Sequence, residues 1–315
     1  MSKTRIAVIG VGHLGQHHAR LLASIEGVEL VGVVDTNHGR ADEITARYGG
    51  RSFAEPRELL SRVDAVTIAA PTATHVELAL PFLDAGIATL VEKPIASSVE
   101  EADRLLAAAE RGRALLATGH TERFNPAVAA ALPLISGPRF IEIHRLGTFP
   151  ERSLDIDVIF DLMIHDLDLL LTVVKSEVAS IEAVGVNVLT AKADIANARL
   201  RFASGCIANI TASRISRERV RKARFFQKDS YVSIDFAAQE LEVYRLVQRD
   251  PRPLIHGGKV DVPREEPLRR ELEDFVDAVR AGRSPGVTGR DGRDALALAT
   301  RVAEKMEGHE HIGTV

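Results

Sequence analysis

The apolar run 6–10 ends in Gly10-Val11-Gly12-His13-Leu14-Gly15, and a helical pattern follows over 14–25. A strand that turns into a helix through three glycines at this spacing can enter few folds. Gly10 permits the tight turn, Gly12 lets a ligand come close to the backbone, and Gly15 lets the helix pack on the strand. The first turn of that helix, with His13 and Leu14, then offers backbone N–H groups and a positive dipole end to phosphates. A second apolar run, 30–34, ends in Asp35, 20 positions after Gly15. A carboxylate there accepts hydrogen bonds from the adenosine ribose and repels a 2′-phosphate. Thr36 follows, where an arginine would have welcomed that phosphate. The pattern predicts an NAD site containing Gly10, Gly12, His13, Leu14, Gly15, Asp35 and Thr36.

Strands and helices go on alternating, with strands at 65–69, 88–91 and 114–118 and helices at 74–85 and 99–111. Repeated βα units imply a mostly parallel, doubly wound sheet covered on both faces. Ala70-Pro71-Thr72 should line the cofactor cleft near the nicotinamide ribose. His75 either joins that lining or faces solvent at a helix start. With 315 residues the chain exceeds the usual single domain, and we divide it into 1–120 and 121–315. A composition of 45% apolar and 27% charged residues is that of an ordinary soluble protein. The net charge of −4 argues against nucleic acid as a partner. The single cysteine, Cys206, falls in a predicted strand and is expected to be a buried, inert thiol. No apolar run approaches the roughly 20 residues that span a bilayer. Lys3-Thr4-Arg5 runs straight into a strand that the fold needs, which leaves no room for a cleavable signal. A cytoplasmic location is expected.

Two further segments carry chemistry. The buried strand at 88–91 delivers Glu92-Lys93-Pro94. Proline disfavours helical geometry at Lys93, which places its ammonium at the carboxyl end of a strand, where open α/β sheets bind ligands. Beyond Pro150 lies Asp161-Leu-Met-Ile-His165-Asp-Leu-Asp168. At about 100° per residue, Asp161, His165 and Asp168 fall within about 60° of one another on a helix that is otherwise apolar nearly all round. Such a helix should be buried, and buried charges are costly unless they are paired or reach a cleft. Asp161 can hold one nitrogen of His165 and leave the other for acid–base work. A shared zinc would need a third ligand from Glu92, His120 or His144, and no Cys/His spacing supports one, so no metal is predicted.

The glycine turn, Asp35, Glu92-Lys93-Pro94 and Asp161-x-x-x-His165, in this order, resemble the Gfo/Idh/MocA family of sugar and inositol oxidoreductases over essentially the whole chain. The resemblance implies a Rossmann domain followed by an α/β domain with a large, open, mostly antiparallel sheet. It implies that Lys93, Asp161 and His165 form the catalytic group, and that the open face pairs subunits as a dimer or tetramer. Segments 181–188, 199–203, 206–213, 223–228, 231–236 and 240–246 read independently as strands of such a sheet. Gly119-His120-Thr121-Glu122-Arg123-Phe124-Asn125-Pro126 resembles the branch that oxidises UDP-N-acetylglucosamine-type sugars at C3. Arg123 and Asn125 sit where the first domain hands over to the second and are candidate substrate contacts.

Between 214 and 224 six basic residues, beginning with Arg214, stand against one acid, Glu218. They either hold a nucleotide diphosphate through arginine or form a solvated or subunit-facing hairpin. Two alternatives stay open: an inositol or free-monosaccharide dehydrogenase, and a non-catalytic NAD-binding regulator. Relatives in this family often carry a tryptophan after the Asp/His helix, where this chain has Leu170 and Leu171 and no tryptophan at all. Helices over 268–281 and 292–306 read as scaffold, and the tail with His309 and His311 as a frayed end.

Overall fold

The computed structural model describes residues 3–149, 156–248 and 252–307. The tail histidines His309 and His311 lie outside the described residues. Two compact units emerge: residues 1–121 with 266–296, and residues 122–265 with 297–315. The segment 266–296 thus joins the first unit, whereas the division drawn from sequence places it in the second.

The first unit contains β1 (Thr4–Ile9), α1 (Gly15–Leu22), β2 (Val28–Val34), α2 (His38–Tyr48), β3 (Arg51–Phe53), β4 (Ala65–Ile68), α3 (His75–Asp84), β5 (Ala88–Glu92), α4 (Val99–Gly112) and β6 (Leu116–Gly119). Its six strands are all parallel, in the order β3-β2-β1-β4-β5-β6. That order reverses between β1 and β4, and ligands of open α/β sheets bind beside the carboxyl ends of the strands at such a reversal. Helix α2 and strand β3, which the sequence reading passed over, are a polar surface helix and a three-residue edge strand.

The second unit contains α5 (Pro126–Ala131), β7 (Phe140–Leu146), α6 (Ile164–Val174), β8 (Val178–Val186), β9 (Ile195–Phe202), β10 (Ile207–Ser213), β11 (Val220–Phe226), β12 (Ser230–Asp235), β13 (Glu240–Val247) and β14 (Leu254–Val260). Its eight strands run in the order β14-β13-β12-β11-β7-β10-β9-β8, antiparallel except for the β7–β10 pair. Burial alternates along β7, β9, β10 and β12, so one face is packed and the other half-exposed. The sequence reading missed the central strand β7 because Arg145 sits on its packed face and breaks the apolar alternation. It missed β14 because Gly257 and Gly258 interrupt that edge strand.

Two helices follow: α7 (Pro267–Ala281) and α8 (Gly289–Glu307). The apolar stripe of α7, Leu268, Leu272, Phe275 and Val276, enters the core formed by Leu21, Leu22, Ile25 and Val28. Complete burial of a side chain such as Leu272 or Phe275 is worth about 1.5–3 kcal/mol. That burial is the reason 266–296 belongs with the parallel sheet. Among the described residues no helix is long and apolar enough to cross a membrane.

Candidate active site

The glycine turn has the form that its spacing predicts. Gly10 takes φ +81°, and a Cβ there would lie 2.6 Å from the Ala69 carbonyl oxygen. A Cβ on Gly15 would meet the Gly10 carbonyl oxygen at 1.8 Å, so helix and strand pack only because that side chain is absent. Gly12 differs, since a Cβ there would touch only Arg40 Nη1, at 3.8 Å. The space before Gly12 is open to a ligand. Helix α1 has no side-chain cap and no acid in its first turn, which leaves its positive end to an anion. Asp35 is buried at the end of β2. Its Oδ2 accepts from Val11 N at 2.9 Å and its Oδ1 from Asn37 N at 2.8 Å, so it also anchors the glycine turn. Thr36 and His13 are exposed beside it, and Leu14, Ala70 and Thr72 are half-buried. Open backbone at Gly12, an uncapped helix start and an acid at the second strand fit a dinucleotide.

Arg40 was not foreseen as part of this region. Its Nη1 lies 3.5 Å from Asp35 Oδ2, and its only sequence signal is a position just after the Asn37 cap of α2.

Of the two places that the sequence allows His75, the solvent is excluded, for the residue is buried. Its Nδ1 lies 2.9 Å from the Pro94 carbonyl oxygen and its Nε2 2.8 Å from that of Ala70. Both partners can only accept, and a neutral imidazole donates from one nitrogen, so both contacts are hydrogen bonds only in the imidazolium. Burial pushes the His75 pKa below its ordinary value. The ring clips the loop after β4 to the turn after β5.

Lys93 is half-buried in that turn, and the Lys93–Pro94 peptide bond is cis. Beneath it lies a polar cluster that sequence reasoning did not find. Glu92, 5% exposed, accepts from the Lys93 backbone N at 3.2 Å and faces His18 Nε2 at 3.0 Å. Glu271 of α7 is 1% exposed and accepts from Thr121 Oγ1 at 3.0 Å. Burial, reinforced by the charge of Glu92, pushes the Glu271 carboxyl well above the ordinary range. No local pattern could have revealed this pairing, because Glu271 is 179 positions from Glu92 (271 − 92).

In the second unit Asp161 lies within a π-helical turn, Ile159–Met163, that runs directly into α6. The α-helical angle assumed between Asp161 and His165 therefore does not apply, although both sit on one continuous helix. Single π-turns inside helices occur often at functional sites. Asp161 and His165 are half-buried, whereas Ile164, Asp166, Leu167, Asp168, Leu169 and Leu170 are buried. Asp168 therefore leaves the expected stripe. Its Oδ2 lies 3.0 Å from Arg123 Nε, an ion pair too bent on those two atoms to be a hydrogen bond. Arg145 makes a bidentate pair with Asp166 and also reaches Glu122 Oε1 at 2.9 Å.

Two residues expected to touch substrate are engaged by the fold itself. Asn125 is buried and caps α5 through Ala127 N at 3.1 Å, while its amide donates to the Phe236 carbonyl oxygen at 3.0 Å. Arg214, 2% exposed, pairs through Nε with Asp194 at 2.9 Å and donates to the Ile156 carbonyl oxygen at 2.7 Å and Thr190 Oγ1 at 3.0 Å. These partners engage all three of its guanidinium nitrogens. Cys206 is buried and inert, its thiol pushed up to about 11 by burial. Among the described residues no group of three metal-ligating side chains occurs.

Comparison with known proteins agrees with this geometry. The Gfo/Idh/MocA oxidoreductase model, with an NAD-binding Rossmann fold, matches residues 4–120, and the family's C-terminal domain model matches residues 99–231. The chain is 42% identical over 310 residues to UDP-N-acetylglucosamine 3-dehydrogenase of Acidithiobacillus ferrooxidans, covering 98% of both. A solved structure of that enzyme superposes with a TM-score of 0.91 at 41% identity, over 98% of this chain and 99% of the other. Myo-inositol 2-dehydrogenase of Thermotoga maritima is 28% identical over 323 residues, 96% of each chain. Fold and cofactor turn define an NAD-binding oxidoreductase with a Rossmann domain and a mostly antiparallel second sheet. The chain belongs to the Gfo/Idh/MocA family.

Proposed function

We propose that this enzyme oxidises the C3 hydroxyl of a UDP-N-acetylhexosamine with NAD⁺. The observation that carries the reading is the full-length 42% identity to a UDP-N-acetylglucosamine 3-dehydrogenase, with Lys93, Asp161 and His165 all present. NAD⁺, when bound, supplies the hydride acceptor. The turn at Gly10, Gly12 and Gly15 binds its pyrophosphate and Asp35 its adenosine ribose. His165, oriented by Asp161, removes the hydroxyl proton. The Lys93 ammonium holds the same oxygen and stabilises its alkoxide character. Positioned acid–base help of this kind is worth about 10²–10⁴-fold. Lys93→Ala and His165→Ala should each depress turnover by about that factor with NADH affinity retained.

The first experiment is reduction of NAD⁺ with UDP-N-acetylglucosamine, UDP-glucose, myo-inositol and free hexoses, followed by nicotinamide absorbance. Turnover confined to the UDP-amino sugar supports the reading. Turnover on myo-inositol favours the second reading, an inositol dehydrogenase, which rests on the full-length similarity to the Thermotoga maritima enzyme. We read the enzyme as cytoplasmic and as a homodimer or homotetramer joined through the half-exposed sheet face. A row of aromatic rings supports that face as the contact: Phe226 to Tyr231 at 5.1 Å and Tyr231 to Tyr244 at 6.2 Å. Sedimentation that gives a monomer would reject the assembly.

A further inference from the structure

The basic segment 214–224 sorts cleanly once its partners are known. Arg214 pairs with Asp194, Lys222 with Asp235 at 3.3 Å, and Arg224 with Glu142 at 2.7 Å. Arg219 donates to Thr148 Oγ1 at 3.3 Å, and among the described residues neither it nor Arg221 has an acid within ion-pair distance.

Arg221 is the unusual one. In the antiparallel β11–β7 ladder it stands directly opposite Arg145. Both belong to the packed face of the sheet, which they share with Ile141, Ile143, Ala223 and Phe225. Like charges directly opposite in a ladder are destabilising, and the two nearby acids that offset this are already engaged by Arg145. Asp166 is bound bidentately by Arg145, Glu122 is bound by its Nη1, and the Arg145 guanidinium also stacks 5.3 Å from the Phe236 ring. Arg221 thus feels the like charges of Arg145 and Arg219, while the carboxylates of Glu122 and Asp166 are already engaged by Arg145. Burial and the Arg145 charge hold the pKa of Arg221 below the ordinary value for arginine. The side chain nevertheless remains reachable from solvent. The place matters as well, since Asp166 directly follows His165 on α6.

We propose that Arg221, assisted by Arg219, is the diphosphate-binding residue of the substrate site, and that the like-charge pair with Arg145 is tolerated because an anion completes it. A planar guanidinium presents paired donors suited to phosphate oxygens. The inference rests on the nucleotide-sugar reading and replaces Arg214 in it.

The test is calorimetric titration of the full-length, NADH-loaded enzyme with UDP and with uridine as the uncharged counterpart. Arg221→Met should weaken UDP by about 10- to 100-fold and leave uridine unchanged, with Arg221→Lys in between. Lys222→Met, which breaks a pair on the opposite sheet face, should leave UDP affinity unaltered. Arg221→Met should melt no lower than the parent, because it removes a like-charge contact, whereas a residue with a merely structural ion pair would lose stability. UDP affinity within twofold of the parent in Arg221→Met overturns the proposal, as does a parent enzyme that binds no UDP. If UDP binds through Arg221 but no nucleotide sugar is oxidised, the reaction assigned above falls and the anion site stands. If UDP-N-acetylglucosamine is oxidised with an unaltered KM in Arg221→Met, the anion site falls and the reaction stands.

Discussion

Single residues decide how this fold accepts a dinucleotide. Gly12 and Gly15 belong to one motif but differ in what surrounds them. A side chain at Gly12 would enter open space, whereas a Cβ at Gly15 would strike the Gly10 carbonyl oxygen at 1.8 Å. Gly12→Val should therefore leave the melting temperature nearly unchanged and weaken NADH at least tenfold in a fluorescence titration. Gly15→Ala should lower both. Glu271 makes a second prediction. Its folded pKa is raised, so the unfolded state loses a proton first as pH rises, and stability falls from about 4.5, the ordinary glutamate value, upward. Glu271→Gln keeps the neutral shape without that penalty. Its melting temperature should match the parent near pH 4.5 and exceed it at mildly alkaline pH, by up to about 1.4 kcal/mol of stability per pH unit. A constant difference at all pH values would mean that Glu271 is ionised in the fold.

Elements gain meaning from what they pack against. Helix α7 reads in sequence as a scaffold helix with Leu272, Phe275, Val276 and Val279 on one side, and its amphipathic spacing is real. Where that side goes was not readable, because its partners around Leu22 and Ile25 lie some 250 positions earlier (272 − 22 = 250). Leu272→Ala should cost about 2–5 kcal/mol in a denaturant melt, the usual range for truncating a fully buried leucine. A cost below about 1 kcal/mol would mean that α7 is not part of the Rossmann core. The π-turn ahead of α6 teaches a related lesson. Asp161 and His165 are legible as chemistry from residue type and spacing, but the turn between them obeys hydrogen bonding that no apolar period encodes.

At the scale of the whole molecule the chain leaves its first unit near residue 121 and returns to it at 266. A fragment cut at 120, where the sequence suggests a boundary, would lack Leu268, Leu272, Phe275 and Val276 and expose the core that they cover. It should be aggregation-prone or melt well below the full chain, and adding 266–296 in trans should restore solubility and NADH binding. A fragment 1–120 that folds and binds NADH unaided would reject this account.

The sequence by itself determined the parallel sheet, the glycine turn, Asp35, and the segments of Lys93, Asp161 and His165. These depend on short-range spacing, which follows from strand and helix periods and from backbone sterics. Only the tertiary structure decided which charges are spent and which are available. Arg214, Asn125, His75 and Asp168 look functional in the chain, yet each is buried against a partner that folding supplies. Glu271 and His18 look ordinary, and Arg221 is one basic residue among six, yet each acquires its environment from residues distant in sequence. The physical reason is that desolvation and charge pairing act through space, over a few ångströms, and one chain does not encode those distances in its local pattern.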